Sequence, residues 1–228
     1  MKYVAIHEKM AGSMTRLWNQ EIGQQFPMRE ELLLQNSFRE ENVLPDASFA
    51  VLNEEEEIVA FLIAKKWQEE MDVNMPKTTG WIQALIVDSN FRKQGIGTEL
   101  LTRAEQVFQR HSLEKVLLAS DPWHYFPGMP EQFADTAKWF EKRGYSMEGQ
   151  ASDLVQTYET AQQLELPTLE SGTFAILQED EQDDLIDFMK RCFPGRWEYE
   201  TRKYFSKGGT GREFVVLKRE NKIIAFAE

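Results

Sequence analysis

Apolar and polar positions along the chain alternate in short stretches whose period keeps changing. Tyr3-Val4-Ala5-Ile6 reads as a strand, and over 11–25 and 28–41 Leu17, Ile22, Leu32, Leu33 and Phe38 fall at helical intervals. The apolar runs 48–52 and 58–64, separated by Asn53 and four glutamates, predict a hairpin. Its glutamates form a solvated turn rather than a metal site, because adjacent like charges repel. Residues 80–87 predict a further strand, ended by Asp88-Ser89-Asn90. From Thr98 the period turns helical, with Leu100, Leu101, Ala104, Val107 and Phe108 on one face and Glu99, Arg103, Glu105 and Gln109 opposite. A strand at 115–120 and a helix from Phe133 to Arg143, stopped by Gly144, complete the series. Strands alternating with helices predict an α/β (α+β) fold, a mixed central sheet flanked by helices in which neighbouring strands can run parallel.

Residues 159–171 are polar, hold one proline and keep no period, which predicts a linker between a first domain, 1–158, and a C-terminal unit, 172–228. That unit repeats the start. Phe49-Ala-Val-Leu-Asn-Glu-Glu-Glu-Glu-Ile-Val-Ala-Phe61 aligns with Phe214-Val-Val-Leu-Lys-Arg-Glu-Asn-Lys-Ile-Ile-Ala-Phe226, each preceded by a strand-like and a helical segment. In this register Glu228 stands opposite Ile63, so the second copy is truncated before anything that matches 80–87. A hairpin without its neighbours keeps an unpaired edge, which could pair with the first domain or with a second copy as a homodimer.

Composition narrows the function. A charge of -12 over 228 residues disfavours nucleic acid or an anionic membrane as partner and suits a cationic one. One cysteine, Cys192, and three histidines leave no disulfide framework and predict no metal site. Cys192 reads as a small core residue in the apolar stretch 185–193. No apolar run approaches the ~20 residues of a membrane span, and the start lacks a signal-peptide core, so a soluble cytoplasmic protein is expected. Six scattered tryptophans suggest core and cleft lining rather than a base-stacking platform.

The most informative segment is Val87-Asp88-Ser89-Asn90-Phe91-Arg92-Lys93-Gln94-Gly95-Ile96-Gly97-Thr98, a strand running through a glycine loop into a helix. Helix N-termini present free N–H groups and a positive dipole end to anions, and glycines admit close approach. A tight turn that needs glycine for packing reads equally well from Gly-x-Gly alone. A dinucleotide loop is excluded by leucine at position 100, and a triphosphate loop by the missing Gly-Lys-Ser/Thr.

Arg92-Lys93-Gln94-Gly95-Ile96-Gly97 resembles the Arg/Gln-x-x-Gly-x-Gly/Ala loop of the GNAT superfamily of N-acyltransferases. Trp139-Phe140-Glu141-Lys142-Arg143-Gly144-Tyr145 resembles the family's Tyr-Glu-Lys-x-Gly-Phe ending, and the likeness covers about residues 1–158. It implies that the amides of Gln94, Gly95, Ile96, Gly97 and Thr98 hold the pyrophosphate of acetyl-coenzyme A. It implies also that Leu85, Ile86 and Val87 pair with pantetheine and the acyl carbonyl, a strand N–H near Val87 acting as oxyanion donor. Arg92 and Lys93 would add positive charge, or simply be solvated. Phe133 and Phe140 stand beside the coenzyme where relatives carry a pantetheine-binding asparagine and an acid tyrosine, and Gln83 stands where many carry a basic glutamate.

Substitutes for those groups are His124 and Tyr125, a base and an acid in the aromatic, proline-rich loop 121–128 that follows a strand end. That loop also reads as packing on itself. Deprotonation through water, of an amine entering with some neutral fraction, is a third route. The resemblance implies acetyl transfer to a primary amine of a small molecule or peptide. A non-catalytic acyl-coenzyme A sensor or interaction module is the alternative.

Overall fold

A computed structural model of the chain describes residues 1–152, 155, 157 and 171–228, so the expected linker lies outside the described residues apart from Ser171. The chain forms two compact units, Met1–Glu70 with Pro76–Ala151, and Met71–Met75 with Ser152–Glu228.

In the first unit the elements run β1 (Lys2–Ala5), α1 (Ala11–Glu21), α2 (Glu30–Leu33), β2 (Phe49–Leu52), β3 (Ile58–Lys66), β4 (Thr79–Val87), α3 (Ile96–Arg110), β5 (Lys115–Leu118) and α4 (Ala134–Glu141). A π-helical turn over Leu34–Phe38 extends α2. The five strands lie in chain order, antiparallel except for the parallel β4–β5 pair. β3 is apolar at consecutive positions because both its faces are covered. Phe61 and Ile63 pack with Met14, Trp18 and Leu33 on one side, and Leu62 and Ala64 with Leu100, Ala104 and Phe108 on the other. α3 starts at Ile96, two residues ahead of the sequence expectation, because Gly95 turns the chain into the helix with φ 85°.

Two irregularities shape the sheet. Ile63 pairs with Ala84 but Ala64 pairs with Ile82, so Gln83 is an extra residue on β4, a β-bulge that bends the strand. β5 then accompanies β4 only from Thr79 to Ile82, and among the described residues no strand pairs the outer edge of β4 from Gln83 to Val87.

A buried ionic group ties the segment after β5 to the sheet. Lys65 on β3 has no exposed surface, its ammonium lies 2.8 Å from Asp121 Oδ2 and 3.2 Å from Glu40 Oε2, and it donates to the Pro122 carbonyl at 2.6 Å. Burial pushes the Glu40 carboxyl above its ordinary range, with Lys65 and Asn42 opposing. The anchored segment is conformationally costly: Ala119, Ser120 and Trp123 hold φ of 57°, 52° and 57°, a region that side chains with a Cβ rarely adopt.

The second unit runs β6 (Thr173–Ile176), α5 (Gln182–Cys192), α6 (Arg196–Ser206), β7 (Val215–Arg219) and β8 (Lys222–Ala227), its three strands antiparallel in chain order around Leu177, Leu185, Phe188, Met189, Phe214, Val216 and Ile223. The two hairpins do not pair in the register that their sequences suggest. Val51 faces Ala60 across β2–β3, whereas its counterpart Val216 faces Phe226, the counterpart of Phe61. The cause is the turn: residues 53–57 loop out in the first hairpin, while Glu220 and Asn221, φ 50° and 59°, close the second in two residues. Cys192 is exposed rather than in the core, because α5 ends there, beyond the buried Leu185, Phe188 and Met189. Trp197 is likewise exposed. Among the described residues no helix is long and apolar enough to cross a membrane.

Replacing Lys65 with alanine leaves Asp121 and Glu40 buried without their cation, so Lys65→Ala should lower unfolding free energy by about 3–5 kcal/mol, read from the urea midpoint.

Candidate functional site

Where β4 parts from β5 a cleft of about 820 Å³ opens, walled by Ile82–Val87, the loop before α3, the first turn of α3, the segment 126–130 and α4. The loop is built to expose its backbone. The Asp88 carboxylate accepts from Asn90 N at 2.8 Å, Lys93 turns left-handed with φ 60°, and Gly95 follows at φ 85° as the N-cap of α3, with no side chain to cap the helix. The first-turn N–H groups of α3 therefore have no capping side chain and suit an anion. Gly97 is not required by packing: a Cβ there would meet Val87 Cγ2 at 3.6 Å and Trp139 Cζ2 at 3.7 Å, ordinary contacts.

Charges at the cleft are mostly paired. Arg92 Nε donates to the Val87 carbonyl at 3.0 Å and its guanidinium pairs with Glu21, which also accepts from Ser89 N at 2.9 Å. Arg143 donates to Thr98 Oγ1 at 2.7 Å and to the Trp139 carbonyl at 2.8 Å, its guanidinium 3.7 Å from the centre of the Trp139 ring.

The opposite wall is aromatic. Asn19 exchanges two 2.8 Å hydrogen bonds with the backbone of Met28, and Trp18 Nε1 donates to the Phe26 carbonyl at 2.8 Å, which fixes the turn after α1. Phe126 then stacks on Trp18 with centroids 5.9 Å apart and meets Phe26 edge-on at 4.9 Å, while Phe133 lies 6.0 Å from Phe26. The loop 121–128 thus lays Tyr125 and Phe126 on α1 and also bonds to itself, His124 N donating to the Asp121 carbonyl at 3.1 Å.

Beneath this wall lies a buried polar chain. Gln83 Nε2 donates to the Asn36 and Trp123 carbonyls at 3.0 and 3.3 Å, which orients its Oε1 to accept from Ser37 Oγ at 2.9 Å. The single Ser37 hydrogen being so used, the Tyr125 hydroxyl is the donor in the 2.7 Å contact between them. Burial pushes the Tyr125 phenol far above its ordinary value, and Asp121 adds to this.

The structure brings Leu85, Ile86, Val87, Arg92, Lys93, Gly95, Gly97, Thr98, Phe133 and Phe140 to one cleft. Ile96 packs its side chain into the core, leaving its backbone for binding, and Gln94 Nε2 reaches back to the Asn90 carbonyl at 3.4 Å. Tyr125 and His124 stand outside the lining, the ring Nδ1 of His124 lying 3.1 Å from the Asp121 carbonyl. Sequence reasoning missed Glu21, Arg143 and the Trp18–Phe126 wall. Glu21 could have been found as a carboxylate one helical turn beyond Leu17 and Trp18, on the face that α1 buries. Among the described residues no cluster of His, Cys, Asp or Glu could hold a metal ion.

The sequence over residues 13–125 matches the acetyltransferase (GNAT) family. In fold the chain is similar to the GCN5-related glucosamine N-acetyltransferase region of a fungal multi-domain GH3 β-N-acetylglucosaminidase, at 19% identity and a TM-score of 0.79, over 99% of this chain and 27% of that enzyme's length. It is similar also to an aminoglycoside 6'-N-acetyltransferase from Acinetobacter haemolyticus, at 14% identity and a TM-score of 0.50, over 70% of this chain and 100% of that one. No relative of curated function matches the chain.

The Tyr125 geometry sets a pH dependence. The unfolded chain releases a tyrosine proton near pH ~10 while folded Tyr125 keeps it, so stability falls as pH climbs past about 10. By ultraviolet titration at pH 11, the number of phenolates gained on unfolding should be one greater for the native sequence than for Tyr125→Phe, and that variant should lose about 1 kcal/mol at pH 7.

Proposed function

Residues 13–125 of the chain belong to the acetyltransferase (GNAT) family, and on that premise we propose that the protein transfers the acetyl group of acetyl-coenzyme A to a primary amine of a small molecule or peptide by direct attack. The observation that carries the reading is one cleft holding both the unpaired edge of β4 beyond its bulge and the uncapped start of α3. The backbone at 94–98 holds the pyrophosphate, as the helix dipole and the free N–H groups favour. The edge at Leu85–Val87 pairs with the pantetheine amides as an extra strand would, and its N–H near Val87 faces the thioester oxygen, where negative charge builds during transfer. Lys93 and Arg143 supply positive charge, since Arg92 is neutralised by Glu21.

We read the second unit as a partial copy of the first without this loop. Of the proteins similar in fold, one acetylates glucosamine and another aminoglycosides, which supports a small-molecule amine as acceptor. A second reading, a non-catalytic acyl-coenzyme A sensor, is favoured by the engagement of Gln83 and Tyr125 in one closed network and by Phe140 in the place of an acid.

Calorimetric titration with acetyl-coenzyme A should give saturable binding, and Gly97→Val should weaken it about tenfold or more with the melting temperature nearly unchanged, its side chain filling the approach to the backbone. Unchanged affinity would remove the loop assignment. Thiol release on adding amines separates transferase from sensor.

A further inference from the structure

Among the described residues, the charged side chains around the cleft are Glu21 from α1, Arg92 and Lys93 from the loop, Asp135 from α4 and Arg143 just beyond it. Neither carboxylate is placed to take a proton from a bound amine. Glu21 is engaged by Arg92, by Ser89 N at 2.9 Å and by Gln20 Nε2 at 3.1 Å, while Asp135 stands in solvent, 3.5 Å from Lys138 Nζ. Gln83 on the bulge is an amide engaged at both ends, and the Tyr125 hydroxyl donates to Ser37. Much of the remaining lining is apolar, Trp18, Ile22, Phe126, Met129 and Phe133 among it.

We propose that the acceptor is a weakly basic primary amine, of the kind found at a peptide α-amine or on an amino sugar, which enters already neutral, rather than a lysine or a polyamine. This rests on the transferase reading above. Only an unprotonated nitrogen has the lone pair that attacks the thioester carbonyl carbon. An apolar lining disfavours the ammonium form by desolvation, and the Glu21 carboxylate beside it is already taken by Arg92. At pH 7 an α-amine of pKa about 7.8 is neutral roughly 300 times more often than a lysine of pKa about 10.4. As the C–N bond forms, the C–S bond breaks with its electron pair, and the proton that nitrogen loses ends on the thiolate sulphur. A neutral amine and a thioester thus give an amide and a free thiol with no net proton exchange. That balance needs no separate acid, in keeping with a phenylalanine at position 140.

The test is thiol release from acetyl-coenzyme A between pH 6 and 9, with a lysine-free dipeptide, glucosamine, Nα-acetyl-lysine amide and spermidine as acceptors. The expected kcat/KM rises about tenfold per pH unit and levels near each acceptor's own pKa, with the dipeptide or glucosamine ahead of the lysine derivative by about 100-fold at pH 7. Levelling at one common pH for all acceptors would reveal an enzyme base and overturn the proposal. So would preference for the lysine derivative or spermidine at pH 7. A second readout needs no turnover: titration of the same amines into the protein saturated with coenzyme A, in buffers of different ionisation heat, should show release of the ammonium proton on binding. Binding with no proton release would also overturn it. Binding of acetyl-coenzyme A without thiol release from any acceptor would instead sink the transferase reading itself.

Discussion

A strand can be hydrogen-bonded on both edges only while its neighbours keep step with it, and at Gln83 β4 falls out of step by one residue. The cleft of the first unit opens where that mismatch lies. The bulge bends β4, β5 ceases to follow at Ile82, and among the described residues no strand covers the backbone beyond, which lines a cleft. The same strand delivers the chain through Asp88 into the glycine turn, so the open edge and the bare helix start face one space. Gln83 is also the hub that binds Ser37, the Asn36 carbonyl and the Trp123 carbonyl, so the irregularity is braced from both walls.

Charge is distributed unevenly. The chain carries -12 overall, yet around the cleft Arg92, Lys93 and Arg143 outnumber Glu21 and Asp135. Whole-chain charge pointed to a cationic partner, whereas the balance around the cleft is positive. Lys65, the one cation without surface exposure among the described residues, does no surface work at all. It holds Asp121 and the Pro122 carbonyl, and so keeps a left-handed stretch of backbone against the sheet at the foot of the aromatic wall.

Much of this was legible in the residue pattern. Period-2 and period-3.6 runs located the strands and helices to within a few residues, because β3 and α3 owe their form to burial that the pattern records directly. The glycine loop was legible because left-handed φ and close approach leave few residue choices. What escaped were features that exist only after folding. The bulge at Gln83 has no local signature. The Lys65 group joins residues far apart in the chain, and Glu21 meets Arg92 only once α1 lies beside the loop. Cys192 misled for the opposite reason, since its spacing matched the buried stripe but its helix had run out.

The slipped hairpin of the second unit carries a lesson about kinship between segments. Its first strand is displaced by one residue, so Val216 turns toward the core of α5 where its counterpart Val51 turns toward α3, even though β8 keeps the facing of β3. Two stretches can therefore share an ancestry-like spelling while assigning the same letters to opposite rooms. Neither hairpin is a transplantable cassette for the other: Ala50 is buried where the aligned Val215 is exposed, while Val51 and Val216 are both buried but in differently built cores.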